Sequence, residues 1–244
     1  MVHTSKPLRF DPPLVRGTFL KRYKRFFADI ELTDGSVVTA HCANTGSMTG
    51  LLEEGSTVWI QYHGTEKRKL AWSWELASQD GVLVGVNTSL PNRLVRQAID
   101  EGFIPSLRGY SNSRREVKFG HSRLDIHLTS HEIDDRECFV EVKNVTLAKG
   151  QHALFPDAVT VRGLKHLNTL IEAVHAGHRA VQFFLVQRPD CQSFGPAWSV
   201  DPAYSKGLSE ASAQGVEIMA WQVQMHPETL ALVQELPVRL AEES

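Results

Sequence analysis

The chain has no run of apolar residues approaching the ~20 that a membrane helix requires, and only three cysteines among its 244 residues. Cys42, Cys138 and Cys191 stand far apart and form no Cys-x-x-Cys pair, which argues against a disulfide framework and a zinc knuckle. The eleven histidines include no His-Glu-x-x-His spacing, so a zinc-protease centre is excluded. The loop Asn44-Thr45-Gly46-Ser47-Met48-Thr49-Gly50 is polar and glycine-bearing and could approach a ligand backbone. No Gly-Lys-Ser/Thr follows it, and it is not an ATP loop. Met1–Lys6 lacks the apolar core of a secretion signal. The expectation is a cytoplasmic protein with no membrane partner.

Net charge is only −2, so affinity for nucleic acid must come from local distribution rather than from the total. That distribution is uneven. Residues 1–28 carry Lys6, Arg9, Arg16, Lys21, Arg22, Lys24 and Arg25 against the single acid Asp11. Clustered cations are what a polyphosphate-facing surface needs, because each phosphate contact releases a condensed counterion. The same run also suits a solvated edge strand guarded by lysines. Tyr23, Phe26 and Phe27 interleave with the cations, a composition fit for stacking single-stranded bases, although Phe26 or Phe27 could instead fill a barrel interior. Lys67-Arg68-Lys69 is a further basic loop, of the solvated kind.

The chain divides into two halves of different pattern. Residues 1–86 read as short strands: Val15–Leu20, Tyr23–Leu32, Val37–Cys42, Thr57–Tyr62, Ala71–Ala77 and Val82–Val86, with Thr33-Asp34-Gly35 as a hairpin turn. Such a density of short strands predicts a small closed barrel of the OB type. Residues 87–240 change to α/β. A helix opens at Pro91 and runs over Asn92–Glu101, and a turn-rich connection spans Pro105–Arg114. Strands follow at Arg115–Phe119, Arg123–Leu128 and Cys138–Thr146. A long helix is expected at about Asp157–Ala176, with Val161, Leu164, Leu167, Asn168, Ile171 and Val174 near one face. Ala180–Val186 reads as an apolar strand buried on both faces. A helix over Asp201–Gln214 and a strand over Val216–Gln222 complete the pattern, with a frayed tail after Pro237.

The chemistry concentrates in Cys138-Phe139-Val140-Glu141-Val142-Lys143. Alternation on a strand presents Glu141 and Lys143 together on one face, about 7 Å apart at a rise of ~3.3 Å per residue. In Arg123-Leu124-Asp125-Ile126-His127-Leu128 the same rule puts Leu124, Ile126 and Leu128 on one face and Asp125 with His127 on the other. Residues 130–137 are short enough for a hairpin, so antiparallel pairing would bring Asp125 to Glu141. Two close carboxylates repel unless a divalent cation lies between them. Oxygen ligands with open positions suit Mg²⁺ or Mn²⁺, and the Val142 carbonyl could add a ligand. Lys143 would orient the attacking water, help deprotonate it, or stabilise the phosphorane. Glu116-Val117-Lys118 repeats the Glu-x-Lys pattern. It lacks an aspartate on a preceding paired strand, which leaves Glu116 as an accessory ligand at most. Arg123, Arg162 and Lys165 are candidate backbone-phosphate contacts, the last two sharing a helix face. His127, His152 and His166 read as ordinary polar histidines.

The spacing Asp-x15-Glu-x-Lys and the element order resemble the PD-(D/E)xK nuclease superfamily. Arg22–Phe26, His41–Met48, Glu116–Asp125, Glu141–Leu147 and Phe155–Thr160, in that order, resemble the sugar fermentation stimulation protein A family over residues 12–240. The resemblance implies DNA binding, an N-terminal OB-type domain and a C-terminal restriction-endonuclease-like domain, with Asp125, Glu141 and Lys143 on the motif positions. The leading expectation is a DNA-binding protein with a Mg²⁺- or Mn²⁺-dependent nuclease centre, DNA ahead of RNA. The alternative is a non-catalytic DNA-binding regulator of sugar metabolism on an inactive nuclease scaffold. A third is an enzyme acting on a small phosphorylated molecule. Oligomeric state is left open.

Overall fold

The computed structural model describes residues 3–64, 66 and 68–242, so Lys67 of the basic loop lies outside the described residues. Strand β1 (Leu8–Arg9) precedes a barrel built from β2 (Leu14–Tyr23), β3 (Phe27–Leu32), β4 (Val37–His41), β5 (Thr57–Tyr62) and β6 (Trp72–Gln79). The order β4-β3-β2-β5-β6 closes on itself through Ala40↔Trp72 and His41↔Ser73, with β7 (Val82–Gly85) appended to β6. Alternate residues fill the interior: Phe19, Ala28, Ile30, Val58, Ile60 and Trp74 are buried there, and Phe19 stacks on Trp74 at 5.1 Å. Neither Phe26 nor Phe27 belongs to this core.

Tyr23–Leu32 is not one strand. The chain reverses at Lys24 and Arg25, both with left-handed φ (+48° and +64°), and the Arg22 guanidinium steadies the turn by donating to the Arg25 carbonyl at 3.0 Å. Non-glycine residues hold this conformation only where neighbours enforce it.

The second half begins with α1 (Leu90–Asp100), with Pro91 in its first turn. It continues through β8 (Tyr110–Phe119), β9 (Ser122–His131), β10 (Cys138–Val145), β11 (Leu147–Lys149), β12 (His152–Phe155) and α2 (Val161–His175). After these come β13 (Arg179–Val186), β14 (Ser193–Pro196), α3 (Pro202–Ala213), β15 (Glu217–His226) and β16 (Thr229–Glu235). The large sheet runs β1-β16-β15-β13-β10-β9-β8, and β11, β12 and β14 form a small second sheet. Helix α1 covers one face through Leu94, Val95 and Ala98, and α2 and α3 cover the other through Leu167, Leu170 and Leu208. Strand β13 is buried on both faces, Phe183 and Leu185 toward α1, Phe184 and Val186 toward α2. Each such side chain contributes about 1.5–3 kcal/mol of burial. No helix among the described residues is long and apolar enough to cross a membrane.

Several elements depart from the sequence expectation. Strand β8 begins at Tyr110, inside the expected connection, and β16 was not foreseen. The tail stays ordered past Pro237, because Phe194 donates to the Pro237 carbonyl and Arg239 to that of Phe194. Helix α2 starts at Val161, not Asp157: Thr160 caps it by accepting from the Gly163 N–H at 3.0 Å. Its buried face is His166, Leu167, Leu170 and Ala173, and Val161 is 81% exposed. Most distant of all in the chain, β1 pairs with β16 of the second domain, Leu8 opposite Leu230, shielding that sheet edge.

Asp157 is freed from the helix for another purpose. Its carboxylate accepts the Met48 N–H at 3.0 Å, and its carbonyl accepts from Ser47. The polar glycine loop of the barrel therefore grips the second domain, and its Asn44, Thr45 and Gly46 also line the cleft between the two domains. Arg22 holds the same loop from behind, donating to the carbonyls of Asn44 (2.8 Å) and Gly46 (3.0 Å). Asp157→Ala should lower stability by about 1.5–3 kcal/mol, the usual contribution of a hydrogen bond to a charged group, read as a lower urea midpoint with an unchanged slope.

Candidate metal centre

Glu141 lies mid-strand on β10, between β9 and β13, and is 3% exposed. Three neighbours orient it. Lys143 Nζ donates to its Oε1 at 2.6 Å, His166 Nδ1 from α2 meets the same oxygen, and Gln182 holds its backbone carbonyl at 3.0 Å. Lys143 and His166 also touch each other at 3.3 Å. Burial raises the Glu141 carboxyl, but the His166 hydrogen bond and the Lys143 charge outweigh it, leaving the carboxyl below its ordinary range. The second oxygen, Oε2, is buried with no hydrogen-bond partner.

Asp125 reaches this centre by a break in strand geometry. Leu124 packs in the core beneath α2, whereas Ile126 and Leu128 pack in the core beneath α1, so the three do not share a face as alternation predicts. The β9–β10 ladder stops at Ile126↔Val140, and beyond it Asp125 Oδ2 accepts the Val142 N–H at 2.8 Å. Asn92, in the first turn of α1, donates to Oδ1 at 2.7 Å. Burial, then the charge of Glu141, pushes the Asp125 carboxyl up to about 6. His127 takes the opposite course: it stacks on Phe139 (4.3 Å, 7°) and pairs with Glu137 at 2.9 Å, away from the centre.

Asp125, Glu141, Val142 and Lys143 line a cleft of about 540 Å³ between the two domains, with Arg25 from the barrel turn and Arg162 from α2 on its walls. A buried carboxylate oxygen without a partner, beside an aspartate whose ionisation is opposed by a like charge, fits a hard divalent cation. Among the described residues no three His, Cys, Asp or Glu side chains cluster as a ligand set. Further ligands would be backbone, water or substrate oxygens, the Val142 carbonyl being the nearest candidate by sequence.

Residues 20–86 match the model described as the SfsA N-terminal OB domain, and residues 89–229 match the sugar fermentation stimulation protein RE domain. A sugar fermentation stimulation protein homolog of Geotalea daltonii is 50% identical over 230 residues, covering 94% of this chain and 98% of that one. One from Geobacter metallireducens is 49% identical over 233 residues, covering 96% and 100%. The solved structure of Pyrococcus furiosus SfsA in complex with Ca²⁺ superposes with a TM-score of 0.87 at 27% identity, covering 95% of this chain and 98% of that one. This chain belongs to the sugar fermentation stimulation protein family. Its fold is an N-terminal OB barrel followed by a restriction-endonuclease-like mixed α/β domain.

In this family member the other expected site residues scatter. Arg22 is committed to backbone carbonyls of its own turn and loop. Lys21 pairs with Asp29 at 3.6 Å and lies over the Tyr23 ring, and Tyr23 stacks on Phe27. Lys24 and Lys165 are exposed but are not in the cleft wall. Arg123 is exposed and sits opposite Lys118 on β8, outside the cleft. Glu116 is likewise exposed, with φ of +54°, and does not line the cleft. His166, read from the sequence as an ordinary polar histidine, is central to the site through Glu141 and Lys143, and so is Asn92, which the sequence pattern does not mark. Arg162 and His166, four apart on α2, share a face, and Arg162 Nε reaches the His166 ring at 3.4 Å. That spacing was the one available signal.

In the metal-free protein the raised Asp125 carboxyl, at about 6 against an ordinary 3.8, makes the folded state hold a proton that the unfolded state releases. Stability should therefore fall as pH rises from about 4 to about 6, by on the order of 2 kcal/mol. Asp125→Asn should flatten that slope in urea titrations run in EDTA. An unchanged slope would show that Asp125 is not the group that holds the extra proton.

Proposed function

We propose that this protein binds nucleic acid, DNA ahead of RNA, in the cytoplasm and hydrolyses phosphodiester bonds with Mg²⁺ or Mn²⁺ held by Asp125, Glu141 and the Val142 carbonyl. The observation that carries the proposal is the buried, unpartnered Glu141 Oε2 beside Asp125, on the wall of an interdomain cleft that Arg25 and Arg162 also line. The Ca²⁺ in the Pyrococcus furiosus relative is a cation of the same oxygen-seeking class.

When bound, such a cation lowers the pKa of a coordinated water and offsets charge on the phosphoryl oxygens. The chain supplies the rest. Asn92 fixes the rotamer of Asp125 through Oδ1, and the Val142 N–H fixes it through Oδ2. His166 and Lys143 lock Glu141 through Oε1 and leave the buried Oε2 without a partner. Lys143 Nζ, 2.6 Å from Glu141, is placed to hold the attacking water and to stabilise negative charge developing on the phosphate. Arg25 and Arg162 grip the phosphates on either side.

One observation favours the non-catalytic regulator. Lys143 and His166 both pair with Glu141, so the centre's own side chains can balance this carboxylate and a divalent cation is not required to keep it in place.

Labelled single- and double-stranded DNA and RNA, incubated with Mg²⁺, Mn²⁺ or EDTA, separate the two. Cutting should require the metal and fall by about a thousandfold or more in Asp125→Ala and Lys143→Ala, with binding retained in both. Absence of cutting on every substrate, with binding indifferent to EDTA and to both substitutions, would establish the regulator instead.

A further inference from the structure

A second pocket, of about 650 Å³, adjoins the metal cleft across a thin wall. At three places consecutive residues line its opposite sides. Arg25, Asn44 and Thr88 line the metal cleft, whereas their neighbours Phe26, Ala43 and Ser89 line the second pocket. Neighbouring Cα atoms are about 3.8 Å apart, so adjacent nucleotides of one strand can lie on the two sides. The wall is built by both domains and tied across, Thr88 Oγ1 donating to the Ala43 carbonyl at 3.1 Å.

The two sides differ in chemistry. The buried Glu141 lies in the metal cleft, whose walls come from the barrel and from the second domain. At about 540 Å³ the cleft is in the size class that encloses a small molecule; one nucleotide fits it and a base-paired duplex does not. The second pocket offers an aromatic face: Phe26 is 46% exposed, and its ring lies within 6° of parallel to that of His41. The Phe26 carbonyl accepts the Cys42 N–H at 2.8 Å, so the backbone fixes this residue while its ring stays outside the barrel core. Arg9, Arg68, Lys69 and Arg93 are exposed in the same lining against one exposed acid, Asp11. None of the four forms an ion pair among the described residues, and neither does Arg25. Glu75, also in the lining, is buried and already accepts from Asn87, so it takes no part.

We infer that the protein takes its nucleic acid as a single strand laid across this wall, with one phosphate in the metal cleft and the adjoining base stacked on Phe26. Exposed cations alone would serve a duplex and a strand alike, since both present phosphates. The aromatic face decides between them. In a duplex each base is covered by its stacked neighbours, and a ring at the wall gains nothing. In a single strand the base is free to turn onto the ring, and the contact is open to every base because each has a π-face. The cations of the second pocket then meet the phosphates beyond the stacked base. The inference rests on the reading of the protein as a nucleic-acid binder, names the form that is bound, and does not depend on turnover.

The test is equilibrium binding in EDTA, which prevents cutting, of labelled oligothymidylates of increasing length and of a hairpin duplex. The strand should bind about tenfold or more tightly than the hairpin. In the shortest strand that reaches full affinity, an abasic residue moved along the chain should cost about tenfold at one position. Phe26→Ala should cost about the same on the intact strand, and the two losses should not add. Phe26→Trp, which keeps an aromatic face, should bind more tightly than Phe26→Ala. Lys206→Ala, on α3 and outside both pockets, is the control and should match wild type. The urea midpoint of Phe26→Ala should equal that of wild type, because the ring lies outside the core; if it falls, the abasic scan on the wild-type protein carries the test. A hairpin bound as tightly as the strand, no sensitive abasic position, or losses that add would overturn the inference and leave nucleic-acid binding intact. No binding of any oligonucleotide overturns the inference together with the reading on which it rests.

Discussion

Asp125 takes the place of a strand carbonyl: its Oδ2 accepts the Val142 N–H just past the point where the β9–β10 ladder ends. The rest of the centre depends on this contact. It satisfies a buried backbone donor that the parting strands would otherwise orphan, and it draws the aspartate toward Glu141. The cost is a pair of carboxylates held close together, Glu141 buried and Asp125 half-buried. The pair is tolerated because Lys143 and His166 bind one oxygen of Glu141 and Asn92 binds one of Asp125. Cation, imidazole and amide thus divide the load, and the arrangement leaves Glu141 Oε2 without a partner.

The barrel is part of this architecture. Its polar loop is held between Arg22 on one side and Asp157 on the other, and Asp157 lies four residues before α2, the helix that carries Arg162 and His166. A second set of contacts docks β6 and β7: Gly85 donates to the Gln187 carbonyl at 2.9 Å, and Arg188 reaches Gln79 at 3.1 Å. The result is a cleft whose two walls come from different domains, which is where ligand sites commonly form. Arg25 enters that cleft because the turn between β2 and β3 adopts left-handed φ at consecutive non-glycine residues. The cationic run near the N-terminus is therefore split in use: Arg22 is structural, Lys21 and Lys24 are solvated, and Arg25 faces the site.

Much of this was legible in the chain, for reasons of local physics. Period-2 alternation placed Glu141 and Lys143 on one face of β10, and the structure has them in contact. Dense short strands announced the barrel, and the apolar run of β13 announced a strand buried on both faces. Local signals misled where a tertiary contact overrode them. Asp157 has the composition of a first-turn helix residue but is recruited by the Met48 N–H. Tyr23–Leu32 has no glycine to mark its turn, yet it reverses at Lys24 and Arg25. Val161 has helical spacing with the apolar set but lies at the solvent-facing start of α2.

The sequence by itself determined the two-domain order, the residue types of the centre and their spacing along two strands, because strand alternation and turn chemistry act between near neighbours. Tertiary structure alone decided that Asp125 sits at a break in alternation, that His166 and Asn92 complete the centre from two different helices, and that β1 closes a sheet more than two hundred residues away. Contacts between residues so distant in the chain leave no periodicity behind. They are set by which buried donors and charges need partners once the sheet and the barrel have come together.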